Sequence, residues 1–535
     1  MANKESSQFP TETREREIYS ECGMFAVHLR DPRVANIGSM TAQGLVTLQH
    51  RAEGATGIYL SNGSESEFLR KLGTVAVATN EGKDIPKVPN ANIAIGHTRY
   101  PTSGSSRSEF NIQPLQRDGI VLAHHGNLIN AQQIRDSLGE INFGGDYPDS
   151  DSWIALNAVV QAEGETLAEK VVNAKKNFEG GFAFVVSDGK DLVAARDPYG
   201  IRPLFVGMLG DETNPLGHLF SVESCAFRNF AVNQHFREVR PGETIEVSNN
   251  KISSVDYEPK GEGYCAFEYV YMMSPDSVLA NKNIYKTRVR AGKNLWKEAP
   301  VELPEGKKLL VMPVPNSGRP AALGYYHQAK KELGDRVEYD ERLLVNQYMG
   351  RNFIKETQNR AAKLKFYPIA DSLIDEDIEQ AVDENFEYLL DDNFIVVDSP
   401  RISPEFLESE YELVFVDDST ARGDTQTEVI QLGRRISRQK PHLRVIAIVK
   451  NPCNLGVATP TYQEFFVNRI PDRTEQEDYL GVKSFRGLSV DGLVASIGIS
   501  KDRLCTECLD GVGPYSHSSN QTIPLQESGV LIDNS

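Results

Sequence analysis

Residues 22 to about 255 are dominated by short apolar runs. GMFAVHL, NIAIGHT, IVLAHHG and GFAFVVSDG each have the length and β-type content of a strand and are separated by polar or glycine-bearing breaks. TLAEKVVNAKKN, with apolar residues at helical spacing, lies between two of them. The mixture predicts a layered α+β domain. From about residue 265 the pattern changes. KKLLVMPVP, PAALGYYHQAKKEL, ELVFVDD, TEVIQLGRRI and LRVIAIV alternate strand with helix, as a parallel sheet with crossover helices requires. The polar segment from Tyr257 to Gly263 marks the junction, and the tail from about Tyr515 is polar and expected to be loose.

With 535 residues the chain has room for two to four domains, and 40% hydrophobic with 25% charged residues is the balance of a soluble globular protein. No apolar run approaches the ~20 residues of a membrane span. The first 21 residues are polar and lack the apolar core of a secretory signal, so a cytoplasmic location is expected. A net charge of −18 argues against a nucleic-acid surface. Most of it falls in residues 371–412, which hold fifteen acids and one base, Arg401. LIDEDIEQAV and FEYLL fit helix and NFIVVD fits a strand, so this block reads as a folded acidic insertion rather than a tether.

The most informative segment is LVFVDDSTARGDT (413–425). A buried strand, Leu413 to Val416, ends in Asp417 and Asp418; a turn containing Ser419, Arg422 and Gly423 follows, and a helix begins near Thr425. The carboxylates suit ribose hydroxyls or Mg²⁺, and the turn aims backbone N–H groups and a helix dipole at a phosphate. The plain alternative is an α/β turn with a solvated acidic pair. The segment resembles the binding loop of type I phosphoribosyltransferases, which use phosphoribosyl pyrophosphate (PRPP). About a hundred residues earlier, LLVMPVP runs into Asn316, Ser317, Gly318, Arg319 and Pro320, a second strand–turn–helix anion site fit for a diphosphate. Ser317 there suits a Mg²⁺ ligand beside Asp417 and Asp418.

Cys22, in SECGMFAV, is by itself more simply read as a small buried hydrophobe, the commoner fate of a cysteine, than as a nucleophile. LQHRAEGATGI, GHTRYPTSG, AHHGNLIN, PDSDSW and RDPYGIRPL follow in order, and together they resemble the class II, N-terminal-nucleophile glutamine amidotransferase domain. With AFEYVYMMSPDS, QYMGRNFI, LSVDGLVASIG and LCTECLDG added, residues 20 to 512 resemble the amidophosphoribosyltransferase family, apart from the long acidic insertion. The resemblance implies an αββα N-terminal-nucleophile hydrolase sandwich followed by an α/β type I phosphoribosyltransferase domain with a parallel sheet. It divides the chain into a propeptide (1–21), an amidotransferase domain (22–255), a phosphoribosyltransferase domain (256–512) with the insertion at about 371–412, and a tail (513–535).

The implied roles follow. The freed Cys22 amine activates the Cys22 thiol, Arg99 grips the glutamine carboxylate, Asp151 binds its amine, and the Gly126 N–H with His125 stabilises the oxyanion. Residues 350–354 close over PRPP. The expected products are 5-phosphoribosylamine, glutamate and pyrophosphate, and a tetramer with nucleotide feedback is implied.

Cys505 and Cys508 form a C-x-x-C pair, with Cys265 and Cys453 elsewhere. By residue type alone four thiols suit tetrahedral zinc. The iron–sulfur, propeptide-bearing branch of the family places a structural [4Fe–4S] cluster on cysteines at these positions. Cys225 matches no ligand position and is read as packing.

Several residues depart from the family pattern. His125 stands where Asn is usual, Trp153 where Glu is, and Asn316 where an acid is; RAEGATG replaces Arg-Gly-Gln-(Asp/Glu)-Ala-Ala-Gly. Asp424 replaces Thr in the phosphate cradle, where a carboxylate ~4 Å from a phosphate costs ~1 kcal/mol per charge pair in water. Alternatively Asp424 turns outward while Thr425 and Glu428 form a capping box. These departures keep two other readings open: a divergent glutaminase or PRPP-sensing paralogue, and a non-catalytic iron–sulfur protein.

Overall fold

The computed structural model describes residues 22–99, 109–139, 150–211, 213–230, 232, 235–345, 366–368, 389–391, 394–396, 404–456 and 462–515. The first half is built on thirteen strands: β1 (Gly23–Leu29), β2 (Ala55–Ser61), β3 (Ser66–Leu72), β4 (Ile93–Arg99), β5 (Leu115–Arg117), β6 (Ile120–Leu128), β7 (Gly180–Ser187), β8 (Leu192–Arg196), β9 (Phe205–Gly210), β10 (Pro215–Ser221), β11 (Phe236–Glu238), β12 (Glu243–Ser248) and β13 (Lys251–Tyr257). They form two antiparallel sheets, ordered β11-β9-β10-β1-β4-β2-β3 and β13-β12-β8-β7-β6-β5.

Strand alternation explains the layering. On β6, Val121 and Ala123 join the core that contains Met24, Ala26 and Ile95 of the first sheet. Leu122 between them joins a second core with Ile154 and Val171. Helices α1 (Ile37–Thr47), α2 (Val75–Ala78), α3 (Ala131–Ser137), α4 (Asp151–Gln161) and α5 (Leu167–Lys175) complete the half. Helix α1 packs on β1 and β4, while α4 and α5 cover β6 and β8. This is the αββα sandwich expected from the sequence.

The second half contains β14 (Tyr264–Cys265), the hairpin β15 (Val278–Leu279) and β16 (Lys282–Asn283), and helices α6 (Ile284–Glu298) and α7 (Arg319–Leu333). Its main sheet uses β17 (Lys308–Pro313) and β18 (Val337–Tyr339). The short pairs β19 (Leu343–Val345) with β20 (Phe366–Pro368), and β21 (Leu389–Asp391) with β22 (Phe394–Val396), precede α8 (Pro404–Glu410). Then come β23 (Tyr411–Thr420), α9 (Asp424–Ile436), β24 (His442–Ile448), β25 (Ser484–Gly487) and β26 (Leu504–Cys505). The sheet is parallel throughout and ordered β18-β17-β23-β24-β25.

That order reverses direction between β17 and β23. The chain leaves β17 toward β18 and returns on β17's other side, which makes a topological switch point where ligands bind outside the carboxyl ends of the strands. The loops after β17 and β23 are the two anion loops read from the sequence.

Two local expectations are corrected. Leu389 and Leu390, at the end of FEYLL, lie in a strand rather than a helix, because they pair with Val396 and Ile395. The β23 strand does not stop before the acidic pair but runs on to Thr420, because β24 pairs alongside it through Asp417, Ser419 and Thr420. The proposed closing loop, 350–354, lies outside the described residues.

Candidate active sites

Antiparallel pairing of β1 with β4 sets Gly23 opposite Thr98, and the Gly23 N–H donates to Thr98 Oγ1 at 3.2 Å. Cys22 and Arg99 therefore meet at one end of the sheet. Burial lowers the Arg99 guanidinium pKa, and the nearby Cys22 and Asp151 oppose that shift. Asp151 opens α4, accepts from the Leu128 N–H at 3.2 Å, and lies 3.7 Å from His124 Nδ1. His124, His125 and Gly126 sit at the same end on β6. Cys22, Arg99, Gly126, His125 and Asp151 are thus gathered from four elements distant in sequence. Trp153 packs into the second core.

Around this centre lies a buried ion network. Arg51, 1% exposed, donates from Nε to the Cys22 carbonyl (3.2 Å), from Nη1 to Glu223 Oε1 (2.6 Å) and Glu268 Oε2 (3.1 Å), and from Nη2 to Glu268 Oε1 (3.0 Å). Arg202 Nη1 reaches the same Glu268 Oε1 at 3.2 Å. Glu268 begins a π-helical turn, Glu268–Met272, in the second half of the chain. Glu223, in the first half, accepts in return from Ser274 N (2.9 Å) and Ser277 Oγ (2.8 Å) of the second. Two fully buried carboxylates, one from each half, therefore fasten the halves together. Burial alone would raise the Glu223 carboxyl, but His50 and Arg51 hold it well below the usual carboxylate range. Cys225 Sγ lies 3.5 Å from Glu223 Oε2, a buried packing position as expected.

At the switch point the two loops touch. A β-carbon on Gly318 would fall 2.6 Å from the Val314 and Val416 carbonyls and 3.1 Å from Asp417 Cα, so only glycine brings the Ser317 loop this close to β23. Asp417 and Asp418 are successive strand residues and leave opposite faces. Val414 and Val416 pack in the core that holds α7's Ala321, whereas Leu413 and Phe415 pack with α9's Val429 and Ile430. Accordingly Asp417 Oδ2 accepts from Gln426 Nε2 of α9 at 2.7 Å, while Asp418 is felt electrostatically by Arg288 of α6. Ser419 Oγ donates to Asp418 at 2.6 Å, and Arg422 is forked onto Glu464.

Helix α9 begins at Asp424 behind Gly423 (φ 88°), so Thr425 is already inside the helix and the Thr425–Glu428 capping box offered as an alternative does not form. Asp424 is exposed. Among the described residues no group of three or more His, Cys, Asp or Glu is arranged to hold one metal ion.

The four cysteines converge near the domain junction. Parallel pairing of β14 with β26 sets Cys265 beside Cys505. The Cys508 carbonyl accepts from Lys450 N (2.9 Å) and Asn451 N (3.1 Å), which draws in the Cys453 loop. All four thiols are buried and none is in a disulfide. Burial pushes the Cys265 thiol up to about 12, and burial together with neighbouring cysteines pushes Cys505 and Cys508 well above the ordinary thiol range. Four mutually close thiols in an apolar pocket suit a cationic centre that draws off their protons.

Sequence reasoning missed Arg51's contacts, Glu223, Glu268 and Gln426. The one available signal was a carboxylate, Glu268, set within the aromatic run AFEYVYM. A groove of about 730 Å³ lined by Arg30, Asp31, Arg33 and Asn90 opens at the opposite end of β1 and involves none of these residues.

Residues 97–220 match the model of a glutamine amidotransferase domain. The chain is 32% identical over 513 residues to the amidophosphoribosyltransferase of Methanothermobacter thermautotrophicus, covering 94% of this chain and 96% of that protein. It is 32% identical over 521 residues to the Rattus norvegicus amidophosphoribosyltransferase, covering 91% and 90%. Among solved structures, glutamine PRPP amidotransferase from B. subtilis, complexed with ADP and GMP, superposes with a TM-score of 0.71 at 27% identity, covering 92% and 97%.

Proposed function

The chain belongs to the amidophosphoribosyltransferase family, and on that premise we propose which residues carry each half of its reaction. The enzyme transfers ammonia from glutamine to PRPP, giving 5-phosphoribosylamine, glutamate and pyrophosphate, the first step of purine synthesis. The alternative of a paralogue with a weakened transferase has no observation in its favour.

Cleavage between Glu21 and Cys22 frees an α-amine with a reference pKa near ~8, suited to take the thiol proton. The thiolate attacks the glutamine amide carbon, the Gly126 N–H and His125 stabilise the oxyanion, and ammonia leaves as the thioester forms; water then releases glutamate. Arg99 binds the glutamine carboxylate as a planar fork and Asp151 binds the ammonium group. The observation that carries this assignment is the meeting of Cys22, Arg99 and Asp151 within electrostatic reach.

In the second half Asp417 and Asp418 hold the ribose hydroxyls, while Ser419, Arg422, Gly423 and Thr425 form the phosphate cradle at the start of α9. Mg²⁺ would neutralise diphosphate charge, held by Ser317 and one of the two carboxylates, since Asp417 and Asp418 leave opposite faces of β23. Cys265, Cys453, Cys505 and Cys508 would hold a [4Fe–4S] cluster in a structural role. No helix among the described residues is long and apolar enough to cross a membrane, in keeping with a cytoplasmic enzyme; a tetramer completes the proposal.

The test is mass spectrometry of the purified N-terminus followed by a pyrophosphate-release assay on the same sample. Chains beginning at Cys22 that release pyrophosphate with glutamine are expected. An unprocessed Met1 terminus, or no release with either glutamine or ammonia, would overturn the assignment.

A further inference from the structure

Arg51 and His125 carry an observation that the proposed roles leave unused. Arg51 Nη2 lies 3.4 Å from His125 Nε2. A guanidinium has only donors, so Nε2 must be the acceptor and the ring proton must sit on Nδ1. Nδ1 is fully buried and has no hydrogen-bond partner among the described residues. The ring is neutral: burial and the positive charges of Arg51 and Arg202 hold its pKa well below the ordinary histidine value. The same guanidinium also donates to the carbonyl of Cys22, so His125 and the nucleophile are neighbours across one side chain. A buried N–H donor without a partner among the described residues, next in sequence to Gly126 and one side chain away from Cys22, is what a developing oxyanion requires.

Arg51 does not stand there unaided. Glu268 takes it in a two-point grip, Oε1 to Nη2 and Oε2 to Nη1, and Oε1 also receives Arg202. Glu268 belongs to the phosphoribosyl half, where Arg288 pins its turn by donating to the Tyr269 carbonyl (2.9 Å) and the Met273 carbonyl (2.8 Å). We infer that Glu268 is a positioning residue for glutamine hydrolysis: it aims Arg51 at His125 Nε2, which fixes the tautomer whose Nδ1–H donates to the oxyanion. The carboxylate that sets the donor of one active centre is thus supplied by the half of the chain that houses the other. This inference rests on the assignment of Cys22 and His125 above.

The test uses the full chain processed to Cys22 and measures glutamine hydrolysis. An Asn side chain carries its N–H₂ where His carries Nδ1, and a Gln side chain carries it near Nε2. H125N is therefore expected to keep kcat within about tenfold, and H125Q to lose about 10²-fold with little change in KM for glutamine. E268Q is expected to lower kcat about tenfold in the parent and to have no further effect in H125N, which has no tautomer to lose. Equal activity of H125N and H125Q would overturn the Nδ1 donor. An equal loss from E268Q in both backgrounds would overturn the positioning role and leave Glu268 a structural residue. The His125 pair decides the first point whether or not E268Q folds. Absence of glutamine hydrolysis in the parent protein would instead overturn the Cys22 assignment, a distinguishable result.

Discussion

Gly456 lies against Gly126 so closely that a β-carbon on it would stand 2.9 Å from the Gly126 carbonyl carbon and 3.0 Å from the Asn127 nitrogen. Gly456 has φ 99°, and Asn127 Nδ2 donates to the Asn454 carbonyl at 2.6 Å, so the segment just after Cys453 buttresses the glutamine site. Gly456→Ala is expected to push Gly126 from its place and lower glutamine-dependent pyrophosphate release about 10²-fold, with a much smaller loss when ammonia is the donor. Equal losses with both donors would point to general unfolding.

Gln426 Nε2 holds Asp417 Oδ2 at 2.7 Å and the Ser419 carbonyl at 2.8 Å. Removing a group that orients a ligand commonly costs ~10–100-fold. Gln426→Ala should raise KM for PRPP about tenfold while glutamine hydrolysis without PRPP is little affected; steady-state kinetics with each substrate varied separates the two.

Asp424 is exposed at the first position of α9. Its repulsion of a phosphate is screened by water and limited to ~1 kcal/mol. Asp424→Thr is therefore expected to tighten PRPP binding by no more than about fivefold, measured by calorimetric titration. A hundredfold gain would mean that the carboxylate turns into the cradle.

Cys505→Ser removes one of the four buried thiols. The expected result is loss of iron and inorganic sulfide from the purified protein in near-equal amounts, together with a lower unfolding temperature. Recovery of one zinc per chain from the parent protein, without sulfide, would favour a mononuclear site instead.

His97 and His218 are held neutral, mainly by burial, with pKa values pushed down to about 3 and about 4. Below ~pH 6.5 the unfolded chain takes up protons that the folded chain refuses, so stability is full above that pH and falls as the solution is acidified toward the folded values. Each group contributes a slope of about 1.4 kcal/mol per pH unit in that window. Denaturant titrations at successive pH values should show the decline, and His97→Gln should flatten it.

The strand runs and the strand–turn–helix loops after β17 and β23 were legible from local pattern, and the order of short motifs singled out Cys22, Arg99, His125, Gly126 and Asp151, which the fold brings to one end of a sheet. The Arg51 network was not, since its partners Glu223 and Glu268 lie 172 and 217 residues away and only packing reveals them. The helix start near Thr425 was legible to within one residue, but its cap was not. Gly423, in a left-handed conformation, begins the helix ahead of Thr425, and that start brings Gln426 round to Asp417.

The pairing of β14 with β26 has a consequence for biogenesis. Cys265 and Cys505 are 240 residues apart, and their strands each contribute only two residues. A contact of such high order cannot form on a ribosome-bound chain until nearly all of it has emerged. Any ligand that needs both thiols could therefore be taken up only after residue 505 has emerged and folded back onto β14.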